Sequence, residues 1–413
     1  MDGDICRDLT SIRLPDWGRV AARPGLVPWV VLDDVGVPVR AVDRFLIDFV
    51  ARDNRSGSVR SYSFDLLRWW RWLQVTETSW ERATSVLVRD FVLWMGCATK
   101  PSGARRTASA ATAGTINPVT KKAYLDDRYK PRTIRHSNAV LRSFYEFWVD
   151  EGAGPLVNPV PLARAEQRRT RAHHNPLEPY RGGGRLRYNP KVPVRRPRQM
   201  PDERWNELFA ALRSNRDRAI VALAVSNGAR ASELLGVRGV DLDWGDQLIR
   251  VVRKGTRAEQ WLPASPEAFV WIRLYQSEGP PLDPQEPLWW TLRRRDRGTG
   301  LAYQAMNYEA LRAVFRRVNA LLDTNWSMHD LRHTAALRMS RDEALTLRDV
   351  QTIMGHAHLS TTADIYLVEE NDQVVRRVQE HLADRERRAT LPPSPAAGYR
   401  GDDLDVLFGG KRA

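Results

Sequence analysis

The sequence predicts a mainly α-helical protein with a small antiparallel β-sheet, an α+β fold, divided into an N-terminal helical domain and a C-terminal mixed domain. Three observations carry that expectation. Apolar residues recur at helical spacing through residues 39–150, a Pro-, Gly- and Arg-rich stretch breaks all periodicity over 151–200, and a second set of helical patterns encloses two short β-rich runs over 201–388. A chain of 413 residues with 42% apolar content is long enough to bury a core in each of two domains.

Taken in order, residues 1–38 carry Pro and Gly without sustained periodicity and read as an arm of uncertain order. Val42, Phe45, Leu46, Phe49 and Val50 then fall at i, i+3, i+4, i+7 and i+8, which puts them on one helical stripe. A second helix covers about Val59 to Leu73 and holds Trp69, Trp70 and Trp72, which read as core and interface because base-stacking platforms serve single strands. A third lies near Ser85 to Met95. Lys100 to Lys130, rich in Ala, Thr, Ser and basic residues, reads as a mobile surface loop. Pro131 stands where a first helical residue is favoured, and Ile134, Leu141, Phe144, Tyr145 and Trp148 follow on one face. Residues 151–200 hold too many prolines and glycines for a long helix and read as a strongly basic linker.

The second domain opens with Asp202 as the expected cap of a helix through Leu212. Ala219 to Val225 is apolar all round, so that helix is expected to be buried on several sides, with Asn227-Gly228 ending it and Arg230 opening the next. Gln247 to Arg253 and Arg257 to Leu262, separated by Lys254-Gly255-Thr256, predict a β-hairpin. Leu311, Val314, Phe315, Val318, Leu321 and Leu322 define a long amphipathic helix. Ser327-Met328-His329-Asp330 resembles a capping box with Asp for Glu, which puts His329 and Arg332 in the first turns of the next helix. About Asn371 to Arg388 has Val374, Val375, Val378 and Leu382 on one stripe, and residues 389–413 read as a disordered tail.

A formal charge of +14 and a pI near 10.1 favour a polyanionic partner. No apolar run approaches the ~18 residues of a membrane span, and the acidic N-terminus is unlike a signal peptide, so nucleic acid and a cytoplasmic location are expected. Cys6 and Cys97 are too few and too far apart for a disulfide framework or a zinc site. Of the 64 basic residues only seven are Lys, so Lys254 in a tight turn stands out.

Attack on a phosphodiester needs a nucleophile, cations or donors around the non-bridging oxygens and an acid for the leaving oxygen. Asn227-Gly228-Ala229-Arg230-Ala231-Ser232-Glu233-Leu234, Arg253-Lys254-Gly255-Thr256-Arg257, His329-Asp330-Leu331-Arg332-His333-Thr334-Ala335 and Gly355-His356 through Leu359-Ser360-Thr361-Thr362 to Tyr366 contain those groups in one order over about 140 residues. In this order they resemble the tyrosine recombinase (phage integrase) family, whose pattern is Arg, Lys, His-x-x-Arg, His or Trp, Tyr. Ala229 and Ala231 stand where larger apolar residues are frequent in the family. His356 and Tyr366 lie ten positions apart where several members have nine.

The resemblance implies an N-terminal core-binding domain at 39–150 and a C-terminal catalytic domain at 201–388 that breaks and rejoins duplex DNA. It implies that Tyr366 attacks the phosphate to give a 3′-phosphotyrosyl bond. Arg230 and Arg332 would clamp the non-bridging oxygens, Lys254 would protonate the leaving 5′-oxygen, and His356 would donate a hydrogen bond. His329 would do likewise or assist proton transfer from Tyr366, and Glu233 would orient the cluster from behind it. Because the phosphotyrosyl bond conserves the energy of the broken ester, no cofactor, ATP or metal is required. The implied partners are double-stranded DNA, further copies of the chain in a synaptic tetramer, and accessory DNA-bending or directionality proteins. Three rivals remain: a non-cutting DNA-binding accessory protein of the same fold, an enzyme that only relaxes supercoils, and a metalloenzyme using His329 and His333 at i, i+4, which lacks the Glu and third ligand such sites use.

Overall fold

A computed structural model describes residues 8–100, 111–163, 186–192, 199–279, 283–296, 300–355 and 378–383. The chain divides into two compact units, Met1–Val194 and Arg195–Ala413, each with its own apolar core.

Among the described residues the first unit is built on the α-helices α1 (Arg40–Ala51), α2 (Ser56–Val75), α3 (Ser85–Cys97) and α4 (Pro131–Asp150). Pro131 occupies the start of α4, where its missing N–H costs nothing. The expected stripes face inward, with Val42, Phe45 and Leu46 of α1 and Leu141, Phe144 and Tyr145 of α4 fully buried. Trp69 and Trp72 are completely enclosed, and Trp69 donates its indole N–H to the Tyr145 hydroxyl at 2.9 Å. The tryptophans are therefore core.

Two stretches, 8–38 and 111–130 among the described residues, are more ordered than the sequence pattern foretells. Within the segment read as an arm, β1 (Arg19–Ala22) and β2 (Trp29–Leu32) pair antiparallel with Arg19 opposite Leu32. Val30 and Val31 are buried, and Arg71 of α2 donates to the carbonyls of Trp17 (2.7 Å) and Gly18 (2.9 Å). Strands of four residues are too short for a period-two pattern to stand out. Within the stretch read as a surface loop, Asn117 and Thr120 are buried, and Asn117 donates to the Tyr124 hydroxyl at 2.6 Å. Polar side chains build that segment, and hydropathy does not register them. The flanks of the basic stretch at 151–200 also pack locally: Arg142 donates to the Val160 carbonyl and Asn138 to that of Tyr188.

The second unit places α6 (Asn215–Asn227) at its centre, with Ala219 to Ala224 buried on every side against α8 (Pro266–Ser277) and α10 (Met328–Ser340). Before it, α5 runs from Asp202 to Ala210; Asp202 is the first helical residue and binds Arg338, so Pro201 and not Asp202 stands at the cap position, without a side-chain cap bond. One helical turn, α7 (Ala231–Leu234), follows α6, and α9 (Tyr308–Leu322) is the long amphipathic helix. The sheet is antiparallel in the order β3 (Leu242–Asp243), β4 (Leu248–Val252), β5 (Glu259–Pro263), with Leu248 opposite Pro263 and Val252 opposite Glu259. A two-residue pair, β6 (Arg295–Asp296) and β7 (Leu301–Ala302), lies apart from it. Ser327 caps α10 through the expected box, its N–H and hydroxyl both donating to Asp330. Then α11 (Leu347–Met354) ends at Gly355, and residues 378–383 are helical. Among the described residues no helix is long and apolar enough to cross a membrane, and no group of three or more His, Cys, Asp or Glu could hold a metal ion.

Candidate active site

The site is assembled around one carboxylate. Glu233 lies in α7 with only 3% of its surface exposed. Its Oε2 accepts the backbone N–H of Arg230 (2.9 Å) and Nη1 of Arg253 (3.1 Å), while its Oε1 accepts Nη1 of Arg230 (2.8 Å) and the backbone N–H of Lys254 (3.1 Å). Four donors on two oxygens use the hydrogen-bonding capacity of an ionised carboxylate. Burial alone would raise this carboxyl; the N–H groups of Arg230 and Lys254, with the Arg230 guanidinium, outweigh it and hold Glu233 below its ordinary value. Glu233 is therefore anionic at neutral pH.

This arrangement fixes the two expected cations in different ways. Arg230 is half-buried, tied to Glu233 by both backbone and side chain. Lys254 is tied by its backbone alone, at the first position of the β4–β5 turn, and its side chain is exposed.

Arg332 approaches from α10 and is 5% exposed. Its Nη1 donates to the Gly228 carbonyl at 2.5 Å and its Nη2 to the Met354 carbonyl at 2.7 Å. In this geometry Arg332 bridges the C-terminal ends of α6 and α11. A phosphate oxygen reaching it would share or replace those carbonyls. The convergence depends on two glycines. Gly228 has φ +66°, and a Cβ there would lie 2.7 Å from the Met354 sulfur; Gly355 has φ +62°, and a Cβ there would lie 3.0 Å from Nε of Arg253. Only a residue without a side chain serves either position.

His329 stands one turn before Arg332 and is exposed; its Nε2 faces Nε2 of His333 at 2.9 Å. His356 and Tyr366 lie outside the described residues. Arg230, Glu233 and Lys254 thus share one network, while Arg332 and His329 are carried on α10, Arg332 bonded to the carbonyls of Gly228 and Met354.

Arg253 belongs to the same network and sequence reasoning passes over it. It is 4% exposed, and its guanidinium donates to Glu233, to Oε1 of Gln260 (2.8 Å), and to the carbonyls of Thr352 (3.4 Å) and Ile353 at the end of α11. The signal was there in the strand alternation: Ile249 and Val251 face inward, so Arg253 falls on the inward register, where a charge demands a partner.

A second basic feature lies in the first unit. A cleft of about 530 Å³ between α2 and the start of α4 is lined by Arg60, Arg68, Lys130, Arg132 and His136, with Asp65 also in its lining. Asp65 binds both Arg68 and Nδ1 of His136, the latter at 2.8 Å.

A carboxylate-braced set of guanidinium groups beside an exposed lysine has the charge and the donors that a phosphate-like oxyanion requires, carried here on an α+β unit that comes after a helical one. Comparison with known proteins gives the class more closely. The description "Phage integrase family" matches residues 198–372, and "Phage integrase, N-terminal SAM-like domain" matches 42–113. The chain is 27% identical over 292 residues to tyrosine recombinase XerD of Lacticaseibacillus casei, covering 69% of this chain and 86% of that one. It is 28% identical over 239 residues to tyrosine recombinase XerC of Staphylococcus carnosus, covering 56% and 70%. Among solved structures, the Tn1549 transposon integrase in complex with a circular intermediate DNA shares its fold, with a TM-score of 0.50 at 12% identity, covering 82% of this chain and 99% of that one. A lambda integrase dimer bound to a core site does so with a TM-score of 0.50 at 13% identity, covering 79% and 93%. The chain belongs to the phage integrase family, the tyrosine recombinases.

Proposed function

We propose that this tyrosine recombinase cleaves and rejoins duplex DNA through a 3′-phosphotyrosyl intermediate on Tyr366, in the integration or excision of a mobile element. The observation that carries the proposal is the Glu233 network, which holds Arg230 and Lys254 at one carboxylate, with Arg332 of the same unit bonded to the carbonyls of Gly228 and Met354. A pure DNA binder needs cations toward phosphates, but it needs neither a buried anion to set two of them in register nor a tyrosine in motif with them.

In this reading the Tyr366 oxygen attacks phosphorus, the bond from phosphorus to the 5′-oxygen breaks, and the protein keeps the 3′-phosphate. Arg230 and Arg332 neutralise charge growing on the non-bridging oxygens, with His356 adding a hydrogen bond. Lys254, pinned by its backbone and mobile in its amine, delivers a proton to the departing 5′-oxygen. His329 hydrogen-bonds the phosphate or accepts the phenolic proton. Reversal by a 5′-hydroxyl of a second duplex completes exchange without ATP or metal. A synaptic tetramer supplies that second duplex, supported by the exposure of Val378 and Leu382 on the helical residues 378–383. Accessory DNA-bending or directionality proteins would act at this stage.

The test is to incubate the full chain with fragmented genomic DNA of its host, denature, and sequence DNA that remains covalently attached. The proposal expects one recurrent junction with a free 5′-hydroxyl opposite the protein-linked 3′-end. Recovery of no attached DNA would favour the accessory-protein alternative.

A further inference from the structure

We infer that Arg253 is a positioning residue for the reaction, holding the Lys254 turn against the Glu233 carboxylate. The inference rests on the reading of Lys254 as the acid. Each nitrogen of the Arg253 guanidinium serves a different segment: Nε goes to Gln260 of β5, Nη1 to Glu233 of α7, and Nη2 to the Thr352 and Ile353 carbonyls of α11. The next residue places its backbone N–H on the other oxygen of the same carboxylate. Two consecutive residues thus grip both oxygens of one buried anion, one by side chain and one by main chain.

That double grip matters because the turn carrying the proposed acid starts from it. Lys254, Gly255 and Thr256 form an exposed turn, with Gly255 at φ +107° and Arg257 at φ +59°. Without an anchor at its base the turn could tilt, and an amine on a four-carbon stem would spend its time away from the leaving oxygen. A planar fork can satisfy three segments at once, whereas an ammonium presents a compact charge that cannot reach all three. Gly355 keeps open the space that the guanidinium fills. Gln260 reinforces the same joint, its amide donating to the Thr352 carbonyl at 3.1 Å.

A purely structural guanidinium and a positioning one predict different substrate dependence. The probe is a labelled nicked duplex carrying the junction sequence recovered by covalent attachment, made with an ordinary 5′-oxygen or with sulfur in its place, which departs without a proton. In the full chain, Arg253→Met is expected to cleave the oxygen substrate at least ~10-fold more slowly, as loss of a well-placed acid requires. Its cleavage of the sulfur substrate should stay close to that of the parent. Equal slowing on both substrates, or no slowing on the first, overturns the inference. If Arg253→Met does not fold by circular dichroism, Arg253→Lys is judged by the same criterion. Lys254→Ala separates the two layers: rescue by sulfur for Lys254→Ala but not for Arg253→Met sinks the inference alone. No rescue for Lys254→Ala removes the assignment of the acid, and the inference with it.

Discussion

The described residues of the proposed site are held by different kinds of constraint, and the constraints predict different mutant behaviour. Lys254 has a fixed backbone and an exposed side chain, so Lys254→Ala should leave DNA affinity nearly intact while slowing cleavage ~10²- to 10⁴-fold, the usual worth of a general acid. Binding by electrophoretic shift and cleavage under single-turnover conditions separate the two; a variant that loses both in proportion would make Lys254 a phosphate contact. Arg230, Lys254, Arg332 and Glu233 stand out in the sequence as candidates because motif order singles them out, and the structure brings Arg230 and Lys254 to the Glu233 carboxylate. Arg253 does not stand out. Its importance comes from a strand register and from three partners far away in sequence, Glu233, Thr352 and Ile353. Arg332 was legible as a cation, but its carbonyl partners at Gly228 and Met354 were not, since they depend on two helix ends meeting.

At the scale of elements, the cleft between α2 and α4 makes a pH prediction. The Asp65 carboxylate raises the His136 imidazole above its ordinary value of 6.5, against partial burial and the charge of Arg68. A raised value means the charge is fully present below pH 6.5 and is lost as pH climbs through the folded-state value. Lined by Arg60, Arg68, Lys130 and Arg132, the cleft is suited to a DNA phosphate. Affinity for duplex DNA, followed by fluorescence anisotropy of the full chain, should therefore weaken across that window, and His136→Gln should flatten the dependence. An unchanged pH profile in the variant would remove this cleft from the interface. Sequence patterns served elements unevenly. The stripes of α1, α4 and α9 and the capping box of α10 are strong periodic or local signals and were correctly read. The β1–β2 hairpin, α8 and α11 were passed over because they are short or lie beside stronger motifs.

For the whole molecule, a net charge of +14 and two separately cored units lead to a prediction about salt. If residues 39–150 and the basic stretch at 151–200 both touch the phosphate backbone, a fragment beginning at Met200 keeps Arg230, Lys254 and Arg332 but loses most of its affinity. Each phosphate contact adds a slope of about 0.9 in log affinity against log salt, so the fragment's binding should also depend much less steeply on salt. Equal affinity and slope for fragment and full chain would confine DNA contact to the second unit.

Covalent capture by Tyr366→Phe beside the parent chain tests whether Tyr366 is the nucleophile. Phenylalanine keeps the ring and removes only the attacking oxygen. On a denaturing gel with labelled nicked duplex, the account predicts a protein-linked band for the parent and none for the variant, with both binding the same DNA under native conditions. A protein-linked band of parental intensity from Tyr366→Phe would contradict it.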